Sequence, residues 1–426
     1  MNKKYLDTSF SILQWLIFLL ANAIALPIII GGLFHLSIEE ISTLMQRTFL
    51  VVGVSSFIQA WLGHGYPIAD GPAGSWVSIF VILGQIALNQ GQSTKDALQI
   101  LEGGLIIAGL LLFFLGATGL VHRFLRLFTP LVTGTFLLIL ALQLSGVLLK
   151  GMLGLQGTET HPDYATGTIA VFVFAIITFL SIKGIGWMKN YAVLLGISCG
   201  WLLYVVVGKP LQMPTHTSFV KLPEIFAWGM PRFDIGMTLT ATLFTFLLVA
   251  NTIAAISAVK QLAPLSNENE KQTLNRGVGI GGISHLISSL FSTIGIVPLP
   301  ASAGFIQLTG QKKVKPFLIA SLILAVISFV PSVVGFISLL PGPIANAAVL
   351  ATFVQLIGIA FQTILSEKLN QRRLTILGIS LLISLGIMFL PENAFSGIPS
   401  CLQYVLSNGL LVGTMIVILL EQFWKK

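Results

Sequence analysis

The stretch GIVPLPASAGFIQLTG, Gly295–Gly310, places two prolines and three glycines inside a strongly apolar chain. Proline removes a helix N–H and clashes with the turn before it, so no regular helix runs through Pro298 and Pro300. At membrane depth there is no water to satisfy broken backbone. Such a break persists only where protein or a water-filled cavity supplies hydrogen-bond partners. The stretch therefore asks where its backbone groups find theirs.

The rest of the chain shows that membrane depth is the right frame. Of the 426 residues, 55% are hydrophobic and only 9% charged, and the mean hydropathy is +0.93. These values describe a chain that lives in lipid. Apolar runs long enough to span predict about fourteen segments, near 11–34, 46–62, 72–89, 101–119, 130–149, 168–182, 190–207, 234–258, 276–294, 303–311, 316–337, 342–366, 373–390 and 402–424. The first run has no small-residue cleavage site behind it and reads as a span, not a removable signal. On this threading most of the 23 Lys and Arg residues fall on the side of the two termini, which predicts cytoplasmic termini in a plasma-membrane protein.

The net charge of +8 follows from that topology and not from nucleic-acid binding, because the basic residues are spread over short separate segments. Lys312, Lys313 and Lys315 either orient their loop or meet anionic lipid. Cys199 and Cys401 lie in or near apolar runs without metal-ligand spacing, so they read as packing residues, and neither metal nor cofactor is expected.

No linker divides the chain, which predicts a single membrane domain over 1–426 with an internal repeat, approximately 1–210 and 211–426. A second broken stretch, GYPIADGPAGSW (Gly65–Trp76), interrupts the third run as the opening stretch interrupts the tenth. Gln14 in the first run and Asn251 in the eighth stand at similarly matching places. Seven segments per half is an odd number, so the second half starts from the opposite side and the repeat is inverted, the pattern of a secondary transporter. Half-helices starting near Gly71–Ala73 and near Ser302–Gly304 would point N–H groups at a cavity.

These residues resemble the nucleobase:cation symporter 2, or nucleobase–ascorbate transporter, family over nearly the whole chain. The tenth-span signature of that family, Q/E/P-N-x-G-x-x-x-x-T-R/K/G, is similar to ASAGFIQLTG here, with Gly304, Thr309 and Gly310 in place and Ala301 and Ser302 in its first two positions. The first span, LQWLIFLLANAIALP, resembles the family's L-Q-H start with Trp15 at the histidine position. The eighth, VANTIAA, puts Asn251 where relatives commonly carry an acid. The resemblance implies an all-α polytopic protein of two inverted repeats of seven. It also implies core and gate domains, with short strands at GYPIA and GIVPL leading into broken helices 3 and 10. It implies transport of a nucleobase by alternating access, with proton symport, and a homodimer.

The candidate substrate site comprises Asn251, Ser302, Ala303, Gly304, Gln307, Gly71, Ala73, Gly74 and, by the resemblance, Phe353. Asparagine offers both a donor and an acceptor, which suits the mixed edge of a purine or pyrimidine; it also serves between helices. Ser302 either meets ligand or caps its helix. Thr309 reads as bonding its own helix backbone. With the usual acids replaced, Asp70 becomes the candidate for proton coupling or, alternatively, a cap of its half-helix, and His285 is the other titratable group at depth.

Other classes fit less well. The sulfate permease family shares the implied fold and moves anions, but usually carries a soluble C-terminal domain. An uncoupled facilitator follows if neither Asp70 nor His285 titrates. An intramembrane enzyme lacks support because the six histidines form no HExxH motif and no serine has a paired base. A receptor or scaffold would be expected to carry a long tail. The expectation is a non-enzymatic permease for a nucleobase, purine ahead of pyrimidine.

Overall fold

The computed structural model describes residues 3–77, 79, 80, 83, 93–124, 127–155, 163–207, 219–264, 269–395, 398 and 400–424. The first half contains α1 (Lys3–Leu33), α2 (Ile38–Trp61), β1 (Asp70–Pro72), α3 (Thr94–Thr118), α4 (Val121–Phe124), α5 (Pro130–Met152), α6 (Tyr164–Lys183), α7 (Trp187–Asn190) and α8 (Ala192–Val206). The second contains α9 (Ile235–Lys260), α10 (Glu270–Leu290), β2 (Ile296–Pro298), α11 (Ala301–Thr309), α12 (Val314–Ile327), α13 (Pro331–Ser338), α14 (Gly342–Leu365), α15 (Gln371–Met388), α16 (Ser400–Leu406) and α17 (Gly409–Phe423). Residues 74–77 are also helical, and most of the expected third span lies outside the described residues.

Polar residues mark where these apolar helices begin. Ser37 and Glu40 form a capping box at the start of α2, and Thr129 with Pro130 opens α5. Asp234, Asn269 and Asn408 each accept a hydrogen bond from the first turn of α9, α10 and α17. Gly119 and Gly310, at φ 72 and 70, end α3 and α11 in the left-handed region.

The expected segments differ in length and form. Among the described residues, eight helices are long and apolar enough to cross a bilayer, or nine if α12 and α13 form one span bent by 91°. The helices α8 and α17 are shorter apolar segments, and α11 has only nine residues. The expected ninth span is helical as α10, yet it is too rich in glycine and serine to pass as apolar: its middle reads GVGIGGISHLISS. This helix is packed against protein, where its glycines allow close approach.

Helices α1, α2, α3, α9, α10 and α12 gather around the strand pair, while α5, α6, α8, α14, α15 and α17 form a second group; α1 meets α14 and α9 meets α16 between them. The contacts repeat from one half to the other. The pairing of α10 with α3 has its counterpart in α2 with α12, α9 with α3 in α1 with α12, and α6 with α8 in α15 with α17. This is the core-and-gate arrangement of two inverted repeats.

Glycine sets the spacing in both core contacts. A Cβ at Gly282 would overlap the backbone of Phe113 and Gly109, and one at Gly116 the backbone of Gly279. In the counterpart, a Cβ at Gly53 would lie 2.6 Å from both Ala325 N and Ser321 O. Lipid gives helices no hydrophobic reason to associate, so close backbone packing has to hold them. Substituting Gly116→Ala or Gly282→Ala is expected to cost about 1–3 kcal/mol by overpacking and to lower the thermal midpoint in detergent. Gly146→Ala, with nothing within 4 Å of its added methyl, is expected to leave that midpoint unchanged or raise it.

Candidate functional site

The two breaks satisfy each other. Strands β1 and β2 pair antiparallel, with Asp70 opposite Pro298, Gly71 opposite Val297 and Pro72 opposite Ile296. The ladder is extended at each end by Ala73 N donating to Gly295 O and Leu299 N donating to Ala69 O, both at 2.9 Å. Side chains take the remaining groups. Ala69 N donates to Ser302 Oγ and Asp70 N to Ser56 Oγ, each at 3.0 Å, and Asn251 Nδ2 donates to Pro298 O at 2.9 Å. The prolines sit where a missing N–H costs no partner.

The strand expectation holds for GIVPL and shifts for GYPIA: β1 begins at Asp70, after that stretch, because Asp70–Pro72 is what reaches the crossing with β2. Gly71 is thus a strand residue, and its lack of a side chain lets Leu299 approach; a Cβ there would lie 2.7 Å from Leu299 Cδ1. The N–H groups of Ala73, Ser302 and Ala303 are bonded to Gly295, Leu299 and Pro300. They are not free donors for a ligand, which corrects the picture of open N–H groups at these positions.

Each half-helix is backed by an aromatic contact with the first helix of the other half. Trp76 packs edge-on against Phe244 of α9 at 4.9 Å, and Phe305 of α11 meets Trp15 of α1 at 4.5 Å. Trp15 is fully buried and also packs on Phe317 of α12. At the position that the resemblance assigns to histidine, this chain has a packing residue that fixes the back of α11.

The front of α11 is open. Ala301, Gly304 and Gln307, three residues apart, are exposed, while Ser302, Phe305 and Ile306 are buried. Nothing lies within 4 Å of a Cβ placed at Gly304. A stripe facing lipid would be built of large apolar side chains; one made of alanine, glycine and glutamine suits an aqueous cavity. Ala303 is half-buried beside it. On the other half-helix, Gly74 faces the half-buried Phe353 of α14 and Leu144 of α5, each 3.6 Å from the position of an added Cβ. Phe353 therefore does meet a broken helix.

The polar candidates separate by their bonds. Asn251 spends its amide on Pro298 O, and among the described residues its carbonyl oxygen has no partner. Ser302 is buried and its hydroxyl accepts from Ala69 N, so it ties the strand crossing together and does not cap its helix. Thr309 donates to Phe305 O at 2.7 Å, the backbone role expected of it. Asp70 is buried with neither carboxylate oxygen bonded, so it is no cap either. His285 is bonded at both ring nitrogens: Trp76 Nε1 donates to Nε2 at 3.0 Å, and Nδ1 lies 2.8 Å from Gly281 O. This arrangement suits a neutral ring with its proton on Nδ1.

Sequence reasoning missed the buried charges Arg47 and Glu102. Glu102 on α3 accepts from Ser292 Oγ, and the Arg47 guanidinium on α2 stands 6.0 Å over the Trp228 ring. Their partners come from the segment joining the two halves and from the turn after α10, so nothing local in the sequence signals the contact.

A strand crossing that feeds two half-helices within a core and a gate defines a multi-pass membrane transporter. The profile of the permease family Xan_ur_permease matches residues 6–393, and the chain belongs to this family. The "Putative purine permease YwdJ" of Bacillus subtilis (strain 168) is 34% identical over 422 residues, covering 97% of this chain and 96% of that one. The xanthine permease of the same organism is 25% identical, covering 96% and 92%. Among solved structures, the transmembrane domain of the cyanobacterial bicarbonate transporter BicA superposes with a TM-score of 0.65 at 15% identity, covering 98% of each chain. SLC26A9 gives the same TM-score at 13% identity, covering 97% of this chain and 65% of that one. These two share the fold.

Substituting Ser302→Ala leaves the Ala69 N–H buried without its acceptor. The expected loss is about 1–3 kcal/mol, seen as a lower thermal midpoint in detergent without loss of membrane insertion.

Proposed function

We propose that this protein carries purine bases across the plasma membrane by proton symport, with both termini cytoplasmic and two copies forming a homodimer. The observation that carries the reading is the open face of α11, Ala301, Gly304 and Gln307, in a chain whose relatives are named as purine, xanthine and uric acid permeases. The pocket is assigned to Asn251, Ser302, Ala303, Gly304 and Gln307 on one side and Gly71, Ala73, Gly74 and Phe353 on the other. Within it, the Asn251 carbonyl accepts from a ring N–H, Gln307 offers both donor and acceptor, and Phe353 supplies a face for the planar base. Gly71, Ala73 and Ser302 act from behind, by holding the crossing.

Coupling is assigned to Asp70. A buried carboxylate with two unbonded oxygens stands to gain from taking up a proton, whereas protonating His285 at Nε2 breaks its bond with Trp76. The anion reading rests on the shared fold, and the exposed α11 face offers no cation to hold an anion.

Uptake of radiolabelled uracil, xanthine, hypoxanthine, guanine and adenine, with and without a protonophore, in cells lacking their own permeases tests this reading. Purine uptake that collapses with the protonophore is expected; uptake indifferent to it indicates a facilitator, and no uptake of any base favours an anion. Asn251→Ala is expected to lower uptake about tenfold or more at unchanged membrane abundance. Asp70→Asn is expected to abolish the protonophore-sensitive part. Retention of that part in the variant removes Asp70 from coupling.

A further inference from the structure

We propose that a groove at the common end of α2, α3 and α10 binds an anionic phospholipid, with its phosphate on Lys271 and Arg276 and an acyl chain along Phe113 and Leu62. The groove encloses about 480 Å³, is widely open, and is lined by these four residues with Gln272 and Asn275 among others; no acidic side chain lines it. Among the described residues neither cation has a carboxylate partner, since the neighbouring Glu270 is paired with Lys260 at 3.4 Å. Two cations without a carboxylate partner among the described residues thus stand beside the carboxamides of Asn275 and Gln272, which can donate to phosphate oxygens.

The groove exists because of the glycine packing. Where Gly116 and Gly279 touch, the helices meet without side chains and leave a notch between the end of α3 and the beginning of α10. Its contents are ordered as a lipid is. Lys271 and Arg276 occupy the first two turns of α10, level with the last turns of α3, and Phe113 lies deeper along α3. Phe113 is 46% exposed and Leu62 50% exposed, and they continue outward into Leu110, Phe114 and Trp61, all exposed. Tryptophan at a helix end marks the headgroup level.

A free phosphate would gain little from two solvated cations, whereas a lipid adds burial of its chain and the attraction of an anionic surface. The lysines of the loop after α11, Lys312, Lys313 and Lys315, are not part of this lining and provide the control.

The test is native mass spectrometry of the detergent-solubilised protein titrated with phosphatidylglycerol or phosphatidylethanolamine of identical chains, with glycerol phosphate as competitor. Phosphatidylglycerol is expected to bind more tightly than phosphatidylethanolamine. The double substitution Lys271→Gln/Arg276→Gln is expected to weaken it roughly 30-fold, from two cations acting together. The charge-keeping Lys271→Arg/Arg276→Lys is expected to retain binding, and Lys312→Gln/Lys313→Gln/Lys315→Gln to leave it unchanged. Equal binding of the two lipids by the unaltered protein overturns the proposal and needs no variant. Undiminished binding in the glutamine variant overturns the site. Displacement by glycerol phosphate at concentrations comparable with the lipid makes it a phosphate site and overturns the lipid.

Discussion

The short antiparallel crossing of Asp70–Pro72 with Ile296–Pro298 is the constraint around which this membrane protein is arranged. A helix can be broken in lipid only if the freed groups are bonded again, and here one break supplies the partners of the other. Because the two strands come from opposite halves of the chain, neither half can close its own break. Side chains add to the account: Ala69 N donates to Ser302 Oγ across the halves and Asn251 Nδ2 to Pro298 O within the second half, while Asp70 N donates to Ser56 Oγ of its own half.

The same exchange between halves appears in the packing behind the broken helices. Trp76 leans on α9 and Phe305 on α1, so each half-helix is positioned by the other half. Close glycine contacts lock α3 to α10 and α2 to α12, giving a core whose helices have few side chains between them to rearrange. Residues between the halves reinforce it: the backbone N–H groups of Lys221, Phe226 and Arg232 donate to Phe329 O, Leu290 O and Gln99 O, and Gln46 Nε2 donates to Lys221 O, tying the connecting segment to α2, α3, α10 and the end of α12. In the transport cycle proposed for this chain, motion would be concentrated where α1 meets α14 and α9 meets α16, between the two groups of helices.

Much of the candidate site was legible because broken helices at depth are conspicuous. Pro298, Pro300 and Gly304 announced the second break, and Asn251 stood out as a polar residue in an apolar run. The resemblance brought in Phe353, which the structure places against Gly74. The span at 276–294 was legible and is the helix α10, in which glycine and serine serve close packing, whereas the spans at 316–337 and 402–424 are each divided. The sequence put Asp70 ahead of His285 for coupling, but the difference in their bonding was not legible. Both are single titratable residues in apolar surroundings, and only their neighbours show that one is unbonded and the other is bonded twice.

By itself the sequence determined that the chain is a polytopic membrane protein, that two helices are broken, and that the halves are related, because composition, proline position and spacing are properties of the chain alone. Tertiary structure decided which groups are spent and which are left over. The Ser302 hydroxyl, the Asn251 amide and the His285 ring are committed to partners dozens to hundreds of residues away or one helical turn below, while the Asp70 carboxylate and the open face of α11 are not. Hydrogen bonding is directional and short-ranged, so its accounts close only when the chain has folded and the distant partner has arrived.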